Sequence, residues 1–279
     1  MKKLILIISI ALIATKCKGP KGEKGPPGPI NIYVLGFVEH HKYNDTSEAE
    51  VEVSFSPSIP DVKINDIDIP IYYFYGSSFS FYKDNITTLS SGTNLNLKVT
   101  YKKSDGNQGE AIATAKIPGI FGITSPYPEA SIPVGGSLNV VWSQSLNANF
   151  YFANLYLYYE YIDLVGNHSR FSCDVETTLT QTSITFPPSV LFPDLNEIDS
   201  IYYSIGYFYV LGINGPKLEY GEMGNVEGDG SGFFWGVMLG DEIYVYISGT
   251  ELITIQKPSP SEKLRSYLKN KCLSFKIKD

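Results

Sequence analysis

Strand-length apolar runs, cut every ~8–12 residues by Gly, Pro, Asn or Asp, constrain this chain more than any other feature of it. The runs are rich in residues that suit a pleated, half-buried surface: Tyr (21), Phe (15), Trp (2) and the β-branched Val, Ile and Thr. Glu50–Phe55 sets Val51, Val53 and Phe55 against Glu52 and Ser54, the period of a strand with one apolar face. Further strands are expected at Ile30–Val38, Val62–Ile64 and Ile67–Phe74. Leu95, Leu97, Val99 and Tyr101 share a face. Asp105-Gly106-Asn107 then supplies the positive φ of a hairpin turn, and Ala111–Ile117 returns. A capped helix is predicted at the C-terminal end. Ser259-Pro260-Ser261-Glu262 gives an N-cap, a proline at the first helical position and an acid three residues after the cap. Leu264, Tyr267, Leu268 and Cys272 follow at helical spacing, among Lys263, Arg265, Lys269 and Lys271. The expected class is all-β, with this helix packing its narrow stripe against its own domain in preference to lying on a membrane.

The N-terminus has a different character. Met1-Lys2-Lys3 precedes an uncharged apolar run, Leu4–Ala14, the layout of a secretory signal and too short for a comfortable membrane span. Cys17 follows in Ala14-Thr15-Lys16-Cys17. The arrangement resembles a bacterial lipoprotein signal, departing from it at Lys16, where a small residue is usual. The resemblance implies lipidation of Cys17 and a place in the cell envelope, outside the cytoplasm. Gly19, Gly22, Gly25 and Gly28 then recur every third residue among prolines. This tract resembles those of bacterial collagen-like proteins. Four triplets suit a polyproline-II spacer of ~3.1 Å per residue, about 35 Å long, better than a trimerising triple helix.

The expected organisation is therefore a signal over 1–16, a lipidation site and collagen-like spacer over 17–29, β-sandwich modules over 30–119 and 120–257, and a helical tail over 258–279. Gly135-Gly136-Ser137-Leu138-Asn139-Val140-Val141-Trp142-Ser143 places Leu138, Val140 and Trp142 on one side. It resembles the opening of fibronectin-III-like and other immunoglobulin-like modules, which implies two tandem sandwiches with Trp142 in a core. The formal charge is −7, and −10 once residues 1–16, with Lys2, Lys3 and Lys16, are removed. An acidic chain argues against nucleic acid as a partner.

Chemistry-bearing constellations are sparse. Neither a nucleophile elbow, nor HExxH, nor a CxxC pair occurs. Cys173 and Cys272 are the two cysteines left for a disulfide if Cys17 is lipidated. In Glu39-His40-His41, strand geometry lets Glu39 and His41 converge while His40 points away. Two ligands fall short of a zinc site, so a solvated strand end is expected, with no metal and no cofactor. His168 sits in a turn. Gly221–Gly232 matches no calcium loop and reads as a flexible β-connection. Ser266 and Lys269 match Ser-x-x-Lys by letters alone. Aromatic clusters remain. Where aromatics are adjacent, alternation sends some outward, unless neighbouring layers cover both faces. Tyr72, Tyr75, Tyr156 and Tyr158 are the candidates for an aromatic binding surface. The leading expectation is a non-enzymatic binding, adhesion or scaffolding protein with a protein or glycan partner. The alternatives are a carbohydrate-binding module using exposed tyrosines and a polysaccharide hydrolase using paired carboxylates.

Overall fold

The computed structural model describes residues 32–193, 195–217, 224–252 and 259–276. The expected signal, Cys17 and the glycine-proline spacer lie outside the described residues. The first half holds β1 (Ile32–His41), β2 (Thr46–Ser54), β3 (Asp61–Ile64), β4 (Ile67–Asp68), β5 (Ile71–Tyr75), β6 (Ser78–Ile86), β7 (Asn94–Lys102) and β8 (Gln108–Lys116). The second holds β9 (Ile123–Ser125), β10 (Glu129–Ile132), β11 (Leu138–Trp142), β12 (Phe150–Asp163), β13 (His168–Leu179), β14 (Ser183–Phe186) and a single-turn helix α1 (Pro188–Leu191). It continues through β15 (Ile198–Asn214), β16 (Val226–Gly228), β17 (Gly230–Ile247), β18 (Glu251–Leu252) and the tail helix α2 (Pro260–Lys276). The all-β class stands, with the β7–β8 hairpin and the tail helix where the sequence places them.

The two halves do not form separate sandwiches. One ten-stranded sheet runs β13-β12-β15-β17-β1-β2-β6-β5, with β10 also on β17 and β18 on β15. The boundary at 119/120 is bridged by β1, which lies parallel to β17 from Ile32↔Gly230 to His41↔Leu239. It is bridged again where β16 pairs with β8. The cause is the length of β17. Its 18 residues give one edge first to β1 and then to β10, while its other edge takes β15. Everything from Ile32 onward is accordingly one unit.

Two smaller sheets, β16-β8-β7-β3-β4 and β14-β11-β9, complete the β structure. One core joins all three sheets. It takes Val34 and Val38 of β1, Val51 and Val53 of β2, Leu155 and Leu157 of β12 and Phe208 and Val210 of β15, together with Val99, Ala111 and Trp142 from the smaller sheets. Trp142 is 2% exposed and lies edge-on to Tyr151 at 5.5 Å, as its place in the glycine-rich motif predicts. The opposite face of the large sheet carries a second core. Phe37, Phe152, Tyr209, Leu211, Trp235 and Val237 pack there with Leu264 and Leu268 of α2. Central strands covered on both faces need continuous apolar runs, which is why Tyr207-Phe208-Tyr209-Val210-Leu211 and Phe233-Phe234-Trp235 do not alternate.

α2 is fixed at both flanks as well as beneath. Lys263 pairs with Asp174 on β13, while Arg265 reaches Glu48 and Glu50 on β2 at 3.2 and 2.8 Å. The Ser259 N–H donates to the Glu262 carboxylate at 3.2 Å, closing half of the predicted capping box. A basic helix thus lies on an acidic sheet face.

Three local expectations change. The predicted strand Ile67–Phe74 is broken at Pro70, which lacks an N–H. β4 pairs with β3 in a smaller sheet, and β5 passes to the edge of the large one. Phe55 leaves the apolar face at φ 65 and is 53% exposed. Within the described part of the glycine stretch, 224–232, Val226–Gly228 form β16 and Gly230–Gly232 open β17. A Cβ at Gly232 would lie 1.8 Å from the Val34 carbonyl oxygen, so this glycine serves close strand approach and not flexibility.

Candidate functional site

The four candidate tyrosines do not form one surface. Tyr72 and Tyr75 lie on β5, 78% and 80% exposed. Tyr156 and Tyr158 lie on β12, six strand positions away in the same sheet, or about 29 Å at ~4.8 Å per strand. Tyr156 is half-buried and stacks on Tyr207 at 5.3 Å. Tyr158 donates its hydroxyl to Glu160 at 2.6 Å and meets Tyr203 edge-on at 6.0 Å. Tyr202, 44% exposed, lies nearby against His168. This end of β12 and β15 is a small aromatic and polar ledge.

β5 is different in kind. Its chain leaves the core at Ile69, 3% exposed, and returns at Phe79, 6% exposed. Between them Ile71, Tyr72, Tyr73, Phe74 and Tyr75 are all exposed. Gly76, at φ +58, and Ser77 close the two-residue turn into β6. Phe74 stacks on Phe79 at 6.3 Å and Tyr72 meets Tyr82 at 6.0 Å, so the rings are seated on β6. β5 ends the sheet order, so one edge of its backbone faces away from the sheet. Exposed uncharged edge strands are templates for a further strand, and folded proteins usually blunt them with lysine, proline or a covering element. β5 carries no such guard within Ile71–Tyr75. The sequence marked Tyr72 and Tyr75. That Ile71, Tyr73 and Phe74 are exposed with them follows from the edge position of β5, which sheet order sets and no local pattern encodes.

A second constellation sits on the α2 side of β1 and β2. Glu39 and His41 converge as the alternation predicts, but the strand end is not solvated. Glu39 and His40 are both 0% exposed. Glu39 pairs in register with Glu48 of β2, which brings in a third group. His41 Nε2 lies 3.4 Å from Glu39 Oε1 and 3.6 Å from Glu48 Oε1. Glu48 also accepts the Tyr82 hydroxyl at 2.7 Å. Its carboxyl is held below the usual range, first by His41 and then by Tyr82 and Arg265. Glu48, aided by Glu39, holds the His41 imidazole above its ordinary value. The Tyr82 phenol is pushed up to about 12 by burial and by Glu48. Arg265 lies over the Phe37 ring at 5.1 Å. His40 points to the other core. It hydrogen-bonds Ser47 at 3.0 Å, and burial lowers its pKa. Glu39 and Glu48 form a carboxylate pair, but an enclosed one with His41 alongside, unlike the open cleft that a sugar chain requires.

A third cluster joins the halves. Where β1 ends beside β17 and β10 has not begun, Asp241 accepts Lys42, the Tyr43 hydroxyl at 2.6 Å and the Ile123 N–H at 3.0 Å. A Cβ at Gly122 would lie 2.2 Å from the Asp241 carboxylate. Elsewhere, Cys173 is a free, half-buried thiol, and the side chain of Cys272 lies outside the described residues.

No protein-family model and no curated protein matches the chain. Among solved structures, fibronectin(III)-like modules of Clostridium thermocellum CbhA align over 81% of this chain and 98% of theirs, at 9% identity and a TM-score of 0.27. A likeness that shallow carries no argument about this protein.

Proposed function

We propose that this chain is an exported protein, anchored at a cell-envelope membrane by lipid on Cys17, that recognises another protein without catalysis, using β5 as its docking edge. The single observation that carries the reading is the uniform exposure of Ile71–Tyr75 at the end of the large sheet. A partner segment in extended conformation would gain main-chain hydrogen bonds from β5 and ring contacts from Tyr73 and Tyr75. The Met1–Cys17 signal pattern and the glycine-proline spacer support the anchored placement. Tyr73→Lys is the test, because a lysine on an edge strand opposes strand addition while disturbing little of the fold at an exposed site. Retention of an extended, aromatic-rich peptide on the immobilised full chain should fall at least tenfold in this variant with Tm unchanged. Equal retention would refute the docking role. The ledge at Tyr158, Tyr202 and Tyr203 favours a second reading, a glycan site in which rings stack on sugars and Glu160 accepts hydroxyls. Loss of glycan-array binding on Tyr202→Ala, with β5 intact, would select it, and an unchanged or blank array would dismiss it.

A further inference from the structure

Glu39, His41 and Glu48 offer three donor atoms within 4.8 Å of one another, drawn from two strands locked in register. The reading that competes with a metal is a protonated His41 bridging two carboxylates. The distances disfavour it. Charge-assisted N–H···O bonds run at about 2.7–2.9 Å, whereas Nε2 stands 3.4 Å from Glu39 and 3.6 Å from Glu48. One Nε2 proton shared between two acceptors makes only a long three-centre bond, weaker than a direct charge-assisted one. Those two spacings are instead what a shared ion requires. A tetrahedral ion with bonds of about 2.0–2.2 Å has ligand-to-ligand edges of about 3.3–3.6 Å. Glu39 is 0% exposed, while the His41 side chain is 28% exposed and gives solvent a way in.

We infer that Glu39, His41 and Glu48 form a binding site for a divalent cation of the zinc class, with solvent completing the coordination. The donor set, one imidazole and two carboxylates, suits a borderline ion and brings the two negative charges that balance it. Outer partners are in place for Glu48. Tyr82 donates to its second oxygen, Oε2, at 2.7 Å, and Arg265 Nη2 from α2 donates to Oε1, the oxygen that faces His41, at 3.2 Å. Such partners orient ligating carboxylates in metal sites generally. The site lies on β1 and β2 and is independent of recognition at β5.

Zinc titrated calorimetrically into the chelator-treated full chain tests it, paired with cobalt as a spectroscopic probe. The wild type should bind zinc with one high-affinity site, and bound cobalt should give the intense visible absorption of a four-coordinate ion. His41→Gln should weaken zinc at least tenfold and abolish the four-coordinate spectrum. Glu52→Gln, further along β2, should change neither. Should His41→Gln fail to fold, Glu48→Gln carries the same expectation at a partly exposed position. Equal zinc affinity in the wild type and the folded ligand variant, or cobalt bound only with the weak spectrum of a six-coordinate ion, overturns the site and leaves a proton-bridged cluster.

Discussion

Leu268→Ala asks whether α2 is part of the protein's core. Leu268 is 2% exposed and lies beside Leu35 and Phe37 on the second face of the large sheet. Cutting a buried leucine back to Cβ costs about 2–5 kcal/mol, depending on how far the surroundings collapse. A peripheral helix can settle toward the sheet, so about 2–3 kcal/mol is expected here. In a body of this size each 1 kcal/mol moves Tm by roughly 2–4 °C, which gives a fall of roughly 4–12 °C. The two tryptophans make the assay site-specific. Trp235, 0% exposed, belongs to the α2-side core, whereas Trp142 faces the other core. In a Trp142→Phe background, Leu268→Ala should shift Trp235 emission at denaturant concentrations below the main transition. In a Trp235→Phe background, Trp142 should report the main transition alone. A change under about 0.5 kcal/mol, the size of an ordinary surface substitution, with both probes coincident, would refute helix docking as a source of stability.

Other predictions follow from buried charge and thiol chemistry. Asp241→Ala leaves the Lys42 ammonium, 13% exposed, without its carboxylate. The loss should sit at the lower end of about 3–5 kcal/mol by urea unfolding, and no measurable loss would show the joint to be ornamental. Burial alone would raise the Asp241 carboxyl, but Lys42, Tyr43 and the Ile123 N–H outweigh it and hold it below the ordinary range. Its folded pKa is therefore the lower one. Its contribution is whole above the unfolded carboxylate value and is lost as pH falls through the folded value. The variant should show a flatter acid limb of stability than the wild type, and parallel limbs would contradict the linkage. Burial raises the Cys173 thiol, so native-state alkylation mapped by mass spectrometry should be at least tenfold slower than in urea. Equal rates would place that thiol at the surface.

Local chemistry was the legible part of this chain. The Asp105-Gly106 turn, the alternation of Val51 and Val53 and the Glu262 half of the capping box at Ser259 each rest on residues a few positions apart, and each stands where the sequence puts it. What escaped depends on partners far along the chain. The parallel pairing of Ile32 with Gly230 merges two expected modules into one sheet, and no local pattern encodes it. The same distance hides the role of the tail. Leu264 and Leu268 read as a stripe, but the face they cover, Phe37 and Trp235 included, is built from strands of both halves. Glu48 joined Glu39 and His41 through the β1–β2 register, after alternation had correctly turned those two toward each other. The aromatic runs were ambiguous for a physical reason. Tyr207-Phe208-Tyr209 is buried between two cores, while Tyr72-Tyr73-Phe74-Tyr75 is bare, and only strand order separates a central strand from an edge.

The proposed recognition at β5 is tested most directly by crosslinking. A photo-crosslinking amino acid at position 75, in the full chain displayed on intact cells, should give a discrete adduct of one mass that disappears when Tyr73→Lys is added. The same probe at position 202 should give none. An adduct that persists with the lysine in place, or the absence of any adduct at position 75, would contradict the assignment of β5 as the docking edge.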